Sequence, residues 1–409
     1  MDAPTNLLAF GLCLIFLILV PFTVAGLALI NAGLGRSRSA AHAMTTALCV
    51  MATAMLTYFA LGSAVQGAHE PPLWNNGWLA TLPSKNFFFH GISWDQPAAA
   101  QILLPLLGIS LASVVPLGAV SDRLRLGAAC ASTVLFAGLI DPLFLRAMAR
   151  FGAFQDAGGS GFIQAVGGLT ALAFVWLLGP RQGKYAHGGM PAAIPAHNQV
   201  FVLFGCMLSW IGWLGLNSAG AMMRAGAQAE QSILVVVNTT FAAAASALAA
   251  AATTRIRFRR PDASLVGNGW MAGLVASSAG CATLKPATAT ITGIVAGVLV
   301  VLSVEWFELH LKVDDPCGSV SVHAVCGIWG LLAAGIFAER AGQFTVQIIG
   351  IATLLGFIFP LTYGLNYLLN RFLVYRVSPD GERQGLDLHE LGADAYPEFV
   401  VHADEFLQR

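Results

Sequence analysis

Apolar positions in this chain come in long unbroken runs, at 7–34, 40–66, 98–120, 127–148, 160–179, 199–220, 231–253, 264–284, 287–308, 319–338 and 343–371. A helix needs roughly 20 predominantly apolar residues to cross a hydrocarbon core, and each run supplies about that many. Strands of a membrane barrel would alternate over about ten residues, whereas these runs are continuous and about twice as long. The pattern predicts an all-α integral membrane protein with eleven transmembrane helices over residues 1–371 and a polar tail over 372–409, with no appended soluble domain. The first run reads as a retained span, not a signal peptide. Asp2 precedes it, no basic segment does, and Arg36 and Arg38 follow it.

Composition agrees: 56% of residues are hydrophobic and 10% charged, against about 25% charged in soluble proteins. With 21 basic and 21 acidic residues the chain lacks the basic excess of a nucleic-acid binder and the charge density of a disordered one. Seven cysteines are too sparse for a disulfide scaffold, and Cys13, Cys49, Cys130 and Cys206 lie inside apolar runs. Placement of charge is more informative than its total. With the amino terminus outside, fifteen of the 21 Lys and Arg residues fall on the cytoplasmic side, and Lys85, Arg146, Arg150, Arg224, Lys285 and Arg340 outside. The positive-inside rule therefore predicts an outer amino terminus and a cytoplasmic carboxyl terminus in a cell (inner or plasma) membrane.

One segment recurs. Asp156-Ala-Gly-Gly-Ser-Gly-Phe-Ile-Gln164-Ala-Val-Gly-Gly168 matches Asp315-Pro-Cys-Gly-Ser-Val-Ser-Val-His323-Ala-Val-Cys-Gly327 at six of thirteen positions. One copy opens the fifth run and the other the tenth. An offset of five helices, an odd number, makes the copies enter the membrane from opposite sides, which predicts an inverted 5+5 repeat plus a final helix. Asp156 and Asp315 suit helix N-caps, since a carboxylate satisfies free N–H groups at the positive dipole end. Two turns deeper stand Gln164 and His323. Polar side chains at that depth need a polar partner or a cavity, and the repeat predicts that these two meet on the pseudo-axis and line a pore.

These residues bring the chain to resemble the ammonium transporter (Amt/Mep/Rh) family over essentially its whole length. The most specific stretch is Val313-Asp-Asp-Pro-Cys-Gly-Ser-Val-Ser-Val-His323-Ala-Val-Cys-Gly-Ile-Trp-Gly330. Gly26–Gly33, His197-Asn198, Ile211–Asn217, Val237-Asn-Thr239 and the tail segment Gly385–Tyr396 add to it. The resemblance implies an ammonium-transporter-like fold, a homotrimer with a pore through each subunit, and no cofactor. It also implies a chemistry: ammonium binds outside and gives up its proton, and ammonia crosses an apolar pore lined by two hydrogen-bonded histidines. A Trp and a Ser recruit the ion, two Phe rings gate the pore, and an Asp below the site organises it.

Position by position, only part of that machinery carries over. Asp156 and His323 match; the fifth-helix histidine position is Gln164. The recruiting Trp falls on Met148 and the Ser on Gly220, with Ser218 as a nearby stand-in, while the gate phenylalanines fall on Gly108 and Leu216. Gln hydrogen-bonds a histidine but does not titrate, so a two-histidine relay is not available. Loss of aromatic faces removes about 0.5–2 kcal/mol of cation–π attraction per contact. Arg146 and Arg224 flank the recruitment region, either as anchors snorkelling to the interface or as charges facing the vestibule and repelling a cation. Phe87, Phe88, Phe89, Phe151 and Phe154 supply interfacial aromatics or a replacement gate.

The sequence therefore predicts a membrane channel or transporter of ammonium, ammonia or a similar small solute with altered proton coupling. The alternative is a non-conducting sensor or regulatory relative. The resemblance implies a PII-type signalling partner at the cytoplasmic face, although Leu391 and Ala393 depart from the family tail. No metal-ligand cluster, phosphate loop or nucleophile–base constellation points to an enzyme, and Gly158-Gly-Ser160 lies in the repeat and not in a nucleophile elbow.

Overall fold

The computed structural model describes residues 3–67, 87–90, 92–94, 97–149, 151, 153–185 and 189–397. Among the basic residues weighed for orientation, Lys85, Arg150 and Arg409 lie outside these. The described chain is helical, with a lone antiparallel bridge between Leu124 and Arg376.

Eleven helical elements follow one another: α1 Leu8–Leu34, α2 Ser37–Gln66, α3 Ala99–Ala119, α4 Leu126–Ala149, α5 Ser160–Leu178, α6 Gln199–Arg224, α7 Ala229–Phe258, α8 Ala263–Ser277, α9 Pro286–His310, α10 Val320–Ile336 and α11 Gln343–Phe372. Among the described residues nine are long and apolar enough to cross a membrane; α8 and α10 are shorter. These two fall within the apolar runs at 264–284 and 319–338. The turns at 278–283 account for the shortening of the first, and in the second the helix ends at Ile336. Side chains cap the entries: Asn198 Oδ1 accepts from the Phe201 N–H at 3.0 Å and Asp262 Oδ1 from the Leu265 N–H at 2.9 Å.

The packing repeats. The α2–α3, α2–α4 and α3–α5 interfaces of the first half recur as α7–α8, α7–α9 and α8–α10 in the second, while α1 lies along α6. At the centre α5 crosses α10. Gly168 sits on the backbone of His323 and Ala324, and its repeat-mate Gly327 sits on that of Ser160 and Ala165. A Cβ on Gly327 would stand 2.6 Å from the Ser160 carbonyl oxygen and 3.1 Å from the Ala165 nitrogen. Residues 159 apart thus exchange partners, as a pseudo-two-fold requires. Both helices also begin with a turn of π-helix, at Ser160–Ala165 and Val320–Val325.

Beyond α11 the tail runs over the face where α2 and α4 begin, here termed the tail face. A short helix α12, Pro379–Gln384, and a turn at Asp387–Leu391 lie on it. Asp387 accepts from the Ala41 and His42 N–H groups at 3.1 and 2.7 Å, and Glu390 Oε2 from the Leu126 N–H at 2.8 Å. Tyr396 donates its hydroxyl to His197 Nε2 at 3.1 Å. Beneath the tail, Arg181 binds Asp314 through Nε and Nη2, each at 2.9 Å, and Asp122 through Nη1 at 3.1 Å. That buried cluster joins the α3–α4 and α5–α6 connections to the segment leading into α10.

Candidate functional site

The two repeat aspartates close the ends of α5 and α10. Asp156 Oδ2 accepts from the Gly161 and Phe162 N–H groups at 2.9 and 2.8 Å; Asp315 Oδ2 accepts from the Val320 N–H at 2.7 Å. Each leaves its Oδ1 buried without a partner. Two turns on, the pseudo-axis pair meets. His323 Nδ1–H donates to Gln164 Oε1 at 2.7 Å, with both residues buried. An amide oxygen only accepts, so this bond places the histidine proton on Nδ1 and leaves Nε2 as a lone-pair acceptor. Gln164 Nε2 is buried with no partner. The pair therefore offers two unspent N–H donors and one acceptor at mid-depth, a set that suits a small neutral molecule with both a lone pair and N–H or O–H bonds. It holds no second titratable group.

On the face opposite the tail lies a cavity of about 480 Å³ whose wall includes Met148, Phe151, Phe154, Asp156, Phe162, Arg224 and Arg340. Three rings pack at one side of it. Phe162 lies 5.4 Å from both Phe144 and Phe154, centroid to centroid, which are themselves 6.3 Å apart. Arg224 places its guanidinium carbon 5.0 Å from the centroid of Phe162. Phe162 and Ile163 separate this cavity along α5 from Gln164. Ile163 packs its Cδ1 and Cγ1 against Gly108 and Gly159, filling the space that a larger residue at position 108 would need.

The sequence-predicted residues thus separate into two groups. Asp156, Met148 and Arg224 share the cavity wall, and Gln164 pairs with His323 below it. The remaining five do not line that wall. Arg146 is buried and donates Nη1–H to the Val65 carbonyl at 3.2 Å. Ser218 is fully buried, its hydroxyl without a partner. Gly220 packs against the Ala157 carbonyl, where a side chain would collide, so it supplies no recruiting group. Gly108 is filled by Ile163 and Leu216 is fully buried. Of the spare aromatics, Phe151 and Phe154 reach the cavity, whereas Phe88 and Phe89 pack on Phe59 instead. Sequence reasoning missed Phe162, Phe144 and Asp141. Asp141 could have been found as a lone carboxylate inside an apolar run; it is 1% exposed and leaves Oδ1 without a partner.

A helical membrane protein built from two inverted halves, with a polar pair where their central helices cross, belongs to the class of membrane transporters and channels. Comparison with known proteins makes this specific. The chain belongs to the Ammonium Transporter Family, which it matches over residues 11–396. Ammonium transporter Amt2 of Archaeoglobus fulgidus is 32% identical, over 95% of this chain and 88% of that one. Amt2 of Haloferax mediterranei is 28% identical, over 95% and 91%. Among solved structures, a protein described as "Sensor Amt Protein" superposes with a TM-score of 0.88 at 23% identity, over 95% of this chain and all of that one. Mep2 of Candida albicans superposes at 0.80 and 22% identity, over 96% and 90%. This is a multi-pass membrane protein of a family that transports ammonium, and its members are not enzymes.

Proposed function

We propose that the chain carries ammonia, or a small neutral solute of the same hydrogen-bonding kind, across the cell membrane without the proton relay of a two-histidine pore. The observation that supports this most is the Gln164–His323 hydrogen bond, which fixes one tautomer and offers no second base. A cation stripped of water at mid-depth would need a proton acceptor and a route back for the proton. The proposal includes eleven spans, an outer amino terminus, a tail face in the cytoplasm and a homotrimeric assembly. The tail segment Gly385–Tyr396 is the place for a PII-type partner, and it is already docked on the body through Asp387, Glu390 and Tyr396.

A second reading, a non-conducting sensor, is favoured by the aromatic floor of the outer cavity and by the fold likeness to the protein described as a sensor. Purified protein in proteoliposomes separates the two. The transport reading expects methylamine or ammonia flux with no ammonium-dependent current, and robust current would refute it. Absence of flux with ligand binding retained would replace it with the sensor. Gln164→His alone is expected not to restore ammonium-driven current, because the outer cavity also differs.

A further inference from the structure

We propose that Arg224 is a resident cation, occupying in the outer cavity the seat that a dissolved monovalent cation would otherwise take. Three independent features of the cavity converge on it. The guanidinium carbon lies 5.0 Å from the Phe162 ring centroid, inside the range in which a cation is attracted to a π face. Two carboxylates lie within electrostatic reach, Asp156 in the cavity wall and Asp141 outside it, both almost wholly buried and each with an oxygen that has no hydrogen-bond partner. Arg224 Nη1 is itself buried without a partner although the residue lines a cavity of about 480 Å³.

The attachment is of a displaceable kind. Among the described residues, no carboxylate forms an ion pair with Arg224 within 4.0 Å. Compare Arg181 on the opposite face, which grips Asp314 with two hydrogen bonds of 2.9 Å. Arg224 is held instead by a ring face and by the field of two carboxylates, the same forces that would hold a free cation. Such a seat accepts one charge. A second cation at the same ring would face the guanidinium directly, so the wild-type cavity disfavours ammonium and guanidinium while a neutral molecule still enters. Arg340, exposed at the rim, adds to that bias.

This refines the ligand side of the proposed function and rests on it only in taking the cavity as the solute's entrance. Removing the side chain should leave an empty seat of known shape. Full-length wild type, Arg224→Ala and Arg224→Ala/Phe162→Leu are compared by calorimetric titration and thermal melts with guanidinium, methylammonium and sodium chlorides. The expected result is that Arg224→Ala binds guanidinium at least about ten-fold more tightly than wild type and melts higher in its presence. Methylammonium is expected next and sodium last, with the gain lost in the double variant. Equal guanidinium affinity in wild type and Arg224→Ala would overturn the proposal. So would equal gains for guanidinium and sodium, because the vacated site would then be a general negative field and not a π-faced seat. Should Arg224→Ala fail to accumulate, Arg224→Gln removes the charge with less loss of volume and is read by the same criteria. Flux is measured separately on wild type: absence of ammonia flux there would count against the transport reading and leave the guanidinium result standing.

Discussion

Replacing Asp314 tests whether the buried ion cluster under the tail holds the central helix α10 in place. Asp314 is 2% exposed and receives Arg181 through Nε and Nη2 at 2.9 Å each, plus the Arg181 backbone N–H at 2.8 Å. Arg123 Nη1 stands 3.7 Å away. Burial alone would push the Asp314 carboxyl up. The Arg181 hydrogen bonds, then the charges of Arg123 and Arg181, outweigh that and hold it down at about 2, against an ordinary 3.8. A difference of that size corresponds to roughly 2.5 kcal/mol of folding free energy. Its sign follows from the direction: the contribution is complete above the unfolded value near 4 and is lost as pH falls through about 2. Asp314→Asn should cost more, about 3–5 kcal/mol at neutral pH, because it leaves Arg181 buried with only Asp122 opposite. Melting of the detergent-solubilised protein at pH 7, and of wild type stepwise toward pH 3, reads both effects. The substitution should lower the midpoint by several degrees, and wild type should weaken only at the acid end of the series. A midpoint for Asp314→Asn within about one degree of wild type would refute the argument that this pair anchors α10.

Two further outcomes follow from other contacts. Burial raises the Glu390 carboxyl, but hydrogen bonds from His42 and the Leu126 N–H outweigh it and hold the group below its ordinary range. Tail docking should therefore be firm at neutral pH and weaken as pH falls through that lowered value. Glu390→Gln should loosen it by about 1–2 kcal/mol, read as faster hydrogen exchange over 385–397. Gly168→Val should abolish the α5–α10 crossing, since its Cβ would overlap the backbone of His323 and Ala324. Gly127→Val, with open space around it, should be neutral in folded yield on size-exclusion chromatography.

The helices were legible because continuous apolar runs have few alternatives at this length, and the crossing helices because Asp156, Gln164 and Gly168 recur as Asp315, His323 and Gly327. What stayed hidden depended on direction and partner, which a sequence does not carry. Arg181 counted only as one more basic residue on the inner side, yet it is the buried hub of two carboxylates. Arg146 and Arg224 looked equivalent as outer charges. One turns to the Val65 carbonyl and the other to the Phe162 ring. Matching Gly108 to a gate position gave no sign that Ile163 fills the space beside it from another helix. Phe162 gave no signal on its own: a phenylalanine in an apolar run is ordinary until an arginine is found over it.

In the proposed transport reading, the two departures from the family pattern, Gln164 and Arg224, act at different depths but in the same direction. With two imidazoles sharing one added proton, a single transfer turns donor into acceptor, so the pair can take a proton on one side and release it on the other. Between Gln164 and His323 reversal needs the amide to turn over and the imidazole to exchange tautomer through some outside carrier, two changes in place of one. Above them, a fixed guanidinium on Phe162 disfavours the arrival of the cation whose proton such a relay would handle. Either change alone would leave a mismatch: a relay without its ion, or an ion without its relay. Together they would be consistent, since an entrance that disfavours cations would make no demand on a central pair with a single base. The backbone crossing at Gly168 and Gly327 is meanwhile intact. Restoring an ion-driven pore would accordingly require changes at both levels, with Gln164 and Arg224 as the first pair to alter together.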